Sequence, residues 1–358
     1  MPLHQDTQIS TQKLFRYITK EKKDVGSIYI YAILSGLVQL SIPLGIQAII
    51  SFVMGATMVT SLYILIAFVV LGTFLAGFFR IRVMQIIEKI QQKIFVEYAL
   101  AFAEKLPKIN LTATRKYYLP ERVNRFFDVQ ILQKAISKLL LEIPTALIQI
   151  IFGILLLSFY HPWFLVFGAL VLLIVILIFR ITMSSGIQSS LEESERKYEV
   201  ASWLEDIAHA VKTFKINSKE NTHVKGSDDR VVNYLTYRTK HFKILLYQYW
   251  VIVVFKVLIT LIVLAIGTYL LINQELNIGA FIATEIVVLT ILASVEKLIK
   301  SLESYYDVIT SLSKLSTVTD LVEEPTSNIE LNASGDGIEI VFSDVSFRFA
   351  DQKPILSN

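Results

Sequence analysis

Two charged side chains sit inside stretches that are otherwise apolar, and they are the groups with the clearest chemistry to offer. Lys256 interrupts Tyr247–Ile272, and Glu285 interrupts Ile278–Leu298, which also carries Glu296. An unpaired charge at the centre of a bilayer costs at least about 2.5–3.5 kcal/mol, so each must face a neighbour or a water-filled cavity. Lining a substrate path is one reading for both residues. The alternative for Lys256 is that its long stem carries the ammonium toward the cytoplasmic face, and for Glu285 that it pairs structurally across helices. Covalent and metal chemistry find little material. The chain has no cysteine, which removes disulfides, thiolate ligands and cysteine nucleophiles, and its five histidines are scattered.

The elements that must position those charges are three pairs of long apolar runs. No charged residue occurs from Val25 to Phe79, and from Ile143 to Phe179 the sole ionisable side chain is His161, in a turn. Each stretch is long enough for two crossings, because one helical span takes about 20 residues at about 1.5 Å each. With the third pair, the sequence predicts six spans. A mean hydropathy of +0.56, 54% hydrophobic residues and 18% charged residues place the chain outside ordinary soluble domains. Within the spans, Pro43 predicts a tolerated kink and Gly72 with Ala76 a close helix contact.

The net charge of +3 gives no argument for nucleic-acid binding; the distribution of charge is what informs. The turns Gly55–Thr60, Tyr160–Pro162 and Asn273–Asn277 lack Lys and Arg, whereas the N-terminal segment, Arg80–Glu142 and Arg180–His241 hold most of them. The positive-inside rule then puts both termini and both long loops in the cytoplasm, in a plasma (inner) membrane. Residues 1–24 read as an amphipathic cytoplasmic elbow. Within it Leu14, Phe15, Tyr17 and Ile18 alternate with Lys13, Arg16, Lys20, Lys22 and Lys23, which suits a helix lying in the membrane interface. Its first apolar run begins too late and runs too long for a cleavable signal peptide.

Both long loops are poor in Gly, Pro and Ser, so they are read as helices rather than floppy connections. Arg82–Leu106 continues out of the second span with an apolar period through Ile86, Ile87, Ile90, Ile94, Tyr98 and Phe102 until Pro107 stops it. Glu121–Leu141 returns as a helix toward the third span near Pro144. The second loop repeats the plan, with Ile187–Ala208 leaving, Lys215–Lys225 turning and Asp229–Leu246 returning. Helices reaching roughly 30 Å below a membrane imply that their tips touch another domain. Tyr117 and Tyr118 at one tip, and Lys212, Thr213 and Phe214 at the other, are the groups suited to a partner surface, or to closing the turn between their own helices.

Beyond a membrane domain spanning 25–321, the segment 322–337 reads as a linker. From Ile338 the period changes to alternation, through Ile340 and Phe342 and again through Val345, Phe347 and Phe349, which predicts two short strands. Two strands cannot bury a core, so 338–358 reads as the start of a truncated domain.

This plan resembles the ATP-binding cassette (ABC) exporter half-transporters, which carry membrane and nucleotide-binding domains in one chain. The stretch LNIGAFIATEIVVLTILASVEKLIKSLESYYDVITSLSKLSTVTDLVEEPT is similar to the family's sixth helix and exit linker, and IEIVFSDVSFRFADQKPIL to the opening strands of its cassette. The resemblance implies an all-α membrane fold of six helices with long cytoplasmic helical extensions, plus a short β fragment at the C-terminus. It implies that the loop tips are coupling helices docking on the cassette, and that Phe349 stands where the family places an aromatic side chain on adenine. ATP and Mg²⁺ are the cofactors it implies. The sequence has no G-x-x-x-x-G-K-[ST] loop, so a complete ATPase site is not expected in this chain. The implied partners are a second copy in a homodimer, the cassette domain, the lipid bilayer and, in a secretion system, a periplasmic adaptor. WLEDIAHAVKTFK and SIPLGIQAII resemble the peptide and toxin secretion branch, while lipid or drug export, a membrane scaffold or a secondary transporter stand as alternatives.

Overall fold

The computed structural model describes residues 2–55, 60–110, 119–216, 221–324, 340–348 and 354–356, with side chains from residue 8 onward. Ten α-helices occur among them: α1 (Pro2–Lys20), α2 (Lys22–Gln39), α3 (Ser41–Met54), α4 (Thr60–Lys105), α5 (Leu119–Asn124), α6 (Asp128–Tyr160), α7 (Trp163–His209), α8 (Val211–Ile216), α9 (Thr222–Ile272) and α10 (Ile278–Thr319). The chain is a multi-pass membrane protein with six candidate spans, α2 and α3 forming the first together. The single helices α4, α7, α9 and α10 run 42–51 residues. At about 1.5 Å per residue they are roughly 63–77 Å long, at least twice a hydrocarbon core of about 30 Å. Each is therefore a span continued into a stalk.

Helix α10 is the central column. Its most apolar window is 56% buried within the protein, against 6% for α4, whose outward face is left apolar. Two cores meet along it. Ile291, Val295, Ile299 and Tyr306 of α10 pack with α6, α7 and α9, while Val308, Leu312 and Leu315 pack with α1, α2, α4 and α6. The stripe expected on the α4 stalk forms: Ile87, Ile90, Ile94 and Phe102 are buried, and Ile86 and Tyr98 pack against that core at its edge.

Several boundaries differ from the sequence reading, each for a local reason. The first span does not merely bend at Pro43; it stops at Gln39 and restarts at Ser41. Pro43 then falls in the first turn of α3, where its missing N–H leaves no bond unmade. Pro144, by contrast, lies inside the unbroken α6, beside Thr145, whose hydroxyl donates to the Leu141 carbonyl at 2.8 Å. The helix returning from the first loop is interrupted by a 3₁₀ turn, Arg125–Phe127, that sets the Phe126 ring between Phe95 and Phe102 at 5.6 and 5.5 Å. The second loop turns less than expected, since α8 occupies Val211–Ile216 and α9 begins at Thr222. Gly226, a helix-weakening residue, is covered there by the Trp203 ring, which a Cβ would approach to 2.6 Å.

Residues Glu323–Asn358 separate from Met1–Val322 as a second compact unit. The two strands expected there do not form among the described residues. What forms is one antiparallel bridge, with Phe347 N–H donating to Leu356 O at 2.9 Å and Ile355 N–H to Phe347 O at 2.8 Å. Ile340, Val341 and Phe342 are 72, 72 and 78% exposed, so among the described residues no neighbour covers the apolar face that would hold a strand in a sheet.

Candidate functional site

A chain of uncharged polar side chains crosses the middle of the bundle. The Ser294 hydroxyl on α10 donates to Gln149 Oε1 at 2.8 Å, Gln149 Nε2 on α6 donates to Gln39 Oε1 at 2.6 Å, and Gln39 Nε2 on α2 donates to Ser35 Oγ at 3.2 Å. Ser35 in turn faces the Ala76 carbonyl of α4 at 3.5 Å. Gln39 is the last residue before the break in the first span, and a cavity of about 90 Å³ lined by Gly36, Gln39, Pro43, Gln149 and Thr290 opens beside it. One turn toward the stalks, a cavity of about 40 Å³ is lined by Arg80, Glu142, Lys297, Gln39 and Gln149, with Lys297 Nζ 3.8 Å from Glu142. Toward the short turns, the Tyr160 hydroxyl donates to Gln47 Oε1 at 2.5 Å. Of these residues the sequence reading singled out Pro43, as a kink, and Ala76, as a close helix contact with Gly72; it gave no role to Ser294, Gln149, Gln39 or Ser35. Their signal was an amide standing alone in an apolar run, and only the meeting of α2, α6 and α10 turns two such amides and two hydroxyls into one polar stripe.

The two intramembrane charges singled out in the sequence have different surroundings. Lys256 on α9 is ion-paired with Glu296 on α10, and Lys300 reaches the other oxygen of Glu296 at 2.5 Å. The side chains of Lys256 and Glu296 are 38% and 25% exposed, so this triad straddles the edge of the bundle. Glu285 has no such partner among the described residues. Its Oε1 is buried without a hydrogen bond, as is the hydroxyl of the adjacent Thr284. A carboxyl oxygen in that position requires a proton, water or a ligand group to satisfy it.

At the stalk ends, Tyr117 and Tyr118 lie outside the described residues, as does Phe349. On α8 the three expected residues divide. Phe214 packs edge-on against Trp203 and His223, at 6.2 and 5.6 Å, and so closes its own turn. Trp203 is held in place by its Nε1–H, 3.1 Å from Ser227 Oγ, and by the Arg230 guanidinium 4.1 Å over its ring. Lys212 and Thr213 are exposed, and so are the apolar Val211 and Ile216, at 45% and 82%. The two stalk pairs are tied together by Lys197 to Asp128 at 3.2 Å and by a hydrogen bond from the Asn124 amide to Glu205.

Six long apolar helices around a polar stripe, with stalks ending in an exposed tip, define a polytopic helical membrane protein. The family model for the ABC transporter transmembrane region matches residues 25–295, well over half of the sequence, and the chain belongs to that family. It is the membrane domain of an ABC transporter. No curated protein matches it. The sequence carries no G-x-x-x-x-G-K-[ST] loop, and Phe349 lies outside the described residues.

Proposed function

We propose that the chain is the membrane-spanning part of an ATP-driven exporter that moves substrate outward by alternating access. The observation that carries this reading is the family match, joined to stalks that end in a tip with exposed Val211, Lys212, Thr213 and Ile216. A surface of exposed aliphatic and basic groups far from the apolar windows suits docking on a cytoplasmic cassette, which would hold ATP and Mg²⁺ and do the hydrolysis. The partners are then that cassette, a second copy of this chain and, for a secretion system, a periplasmic adaptor. Both termini and the stalks lie in the cytoplasm of the inner membrane in this reading, on the strength of the Lys and Arg distribution.

Substrate contacts fall to Ser294, Gln149, Gln39 and Glu285. Amides and hydroxyls offer donors and acceptors without fixed charge, which suits a peptide backbone better than an alkyl chain; lipid or drug export is the alternative. The break at Leu40 and the intramembrane Lys256 and Glu285 are features shared with secondary transporters, but among the described residues the apolar windows of the other five spans are unbroken. Photoaffinity labelling of the native gene product with 8-azido-ATP, followed by a vesicle transport assay, tests the reading. Labelling of a cassette, in the same chain or a tightly bound one, and nucleotide-dependent uptake into inverted vesicles are expected. Transport that follows an ion gradient and ignores nucleotide would overturn it.

A further inference from the structure

Behind the N-terminal helix lies an apolar cavity of about 240 Å³ to which the transport reading gives no role. Five helices wall it, through Phe15 and Ile18 of α1, Tyr29 of α2, Ile90 of α4, Leu140 of α6 and Tyr305 of α10. The space equals roughly eight liquid waters at about 30 Å³ each, but a wall of this kind gives water few partners and favours an apolar guest.

Tyr17 also lines the cavity, and its hydroxyl is buried with no hydrogen-bond partner among the described residues. Burial first, and then the nearby Glu21 carboxylate, hold this phenol above its ordinary pKa, so it stays protonated as a donor that lacks an acceptor.

Basic residues adjoin the lining in sequence: Arg16 lies between Phe15 and Tyr17, and Lys22 follows Glu21, the charged residue of the lining. Phe15 and Tyr29 are 64% and 41% exposed, and although α1 ends at Lys20 and α2 starts at Lys22, helical-type bonds bridge the turn, with Glu21 N–H on Tyr17 O at 3.1 Å and Val25 N–H on Glu21 O at 3.0 Å. Phe15, Ile18, Lys22, Val25 and Tyr29 therefore succeed one another at helical spacing on one stripe. Lys20 is paired with Glu97, and Glu21 and Asp24 are taken up by Lys93. Lys22, Lys23 and Arg16 are exposed, with no acidic partner among the described residues.

We propose that this cavity holds one acyl chain of an anionic phospholipid, with its phosphate at Lys22 and an ester carbonyl accepting from Tyr17. The amphipathic α1 lies at the depth where headgroups meet chains, which puts an apolar recess and a free ammonium where such a lipid presents both parts. The site needs neither nucleotide nor substrate, so it stands or falls apart from the transport reading.

The test uses the purified chain, delipidated in a non-ionic detergent, titrated with dioleoylphosphatidylglycerol or dioleoylphosphatidylcholine and read by native mass spectrometry. One phosphatidylglycerol per chain should bind at least about tenfold more tightly than phosphatidylcholine. Leu140→Trp, which fills the recess, should abolish the bound lipid, and the exposed Lys22→Glu should remove the preference for the anionic lipid without changing thermal unfolding. Equal binding of the two lipids overturns the proposal, as does unchanged phosphatidylglycerol binding in a Leu140→Trp chain with native circular dichroism. If Leu140→Trp does not fold, a Lys22→Glu chain that keeps the preference overturns it alone.

Discussion

The ring of Tyr306 occupies the space beside Gly186, so close that a Cβ at residue 186 would stand 2.2 Å from its Cζ. Tyr306 is fully buried in α10, accepts a hydrogen bond from Gln248 Nε2 at 2.9 Å and donates to the Thr182 carbonyl at 3.3 Å. His241 faces its ring edge-on and pairs with Ser189 at 2.8 Å, so α7, α9 and α10 are locked at one level. Gly186→Ala should therefore destabilise the domain by about 1–3 kcal/mol, the usual cost of overpacking. Tyr306→Phe, which keeps the ring, should cost only about 1 kcal/mol. Thermal unfolding in detergent measures both; a Gly186→Ala chain as stable as the native one would mean that the ring and the glycine are not in contact.

Glu296 serves two cations, whereas Lys256 and Lys300 share one anion. Glu296→Gln should thus be more damaging than Lys256→Met. A fully buried pair that loses one partner costs about 3–5 kcal/mol, and partial exposure here should bring Glu296→Gln down to about 1–2 kcal/mol. The Lys256→Met/Glu296→Gln double variant should recover part of that loss in the same unfolding assay. Additive losses would show that the pair is not coupled.

Thr284 is fully buried and its hydroxyl has no partner among the described residues. Replacing it with the isosteric valine removes an unmet donor and leaves the shape intact, so Thr284→Val should be neutral or stabilising by up to about 1 kcal/mol. A marked fall in melting temperature would reveal a partner for that hydroxyl, such as a bound water.

Glu285→Gln should reduce transport severalfold in the full transporter while expression and melting temperature stay at the native level. Flux assays with the natural substrate, once known, are the direct measurement. Unchanged rate and unchanged substrate range would remove Glu285 from the path.

At the stalk tip, Ile216→Asp and Lys212→Glu lie on the exposed side of α8, whereas Phe214→Ala breaks contacts with Trp203 and His223. The first two should lower transport-coupled ATPase activity with little effect on folding. Phe214→Ala should loosen the tip itself, seen as faster amide exchange over Val211–Ile216. Coupling that survives both surface changes would place the cassette contact elsewhere.

The spans, the stalks and the stripe Ile87, Ile90, Ile94 and Phe102 were legible from the sequence, because hydrophobic period and length are local properties that a bilayer and a helix enforce directly. The break at Leu40 was half legible: Pro43 marks it, but whether a proline bends a helix or starts a new one depends on what covers the freed carbonyls. Strand alternation at Ile340 and Phe342 misled among the described residues, since alternation describes a strand only where a neighbour completes its ladder. The polar stripe Ser294–Gln149–Gln39–Ser35, the pairing of Lys256 with Glu296, the isolation of Glu285 and the cavity at Tyr17 were decided by tertiary structure alone. Each depends on which faces of helices far apart in the chain are turned toward one another, and that is set by packing around α10 rather than by any residue's own neighbours in sequence.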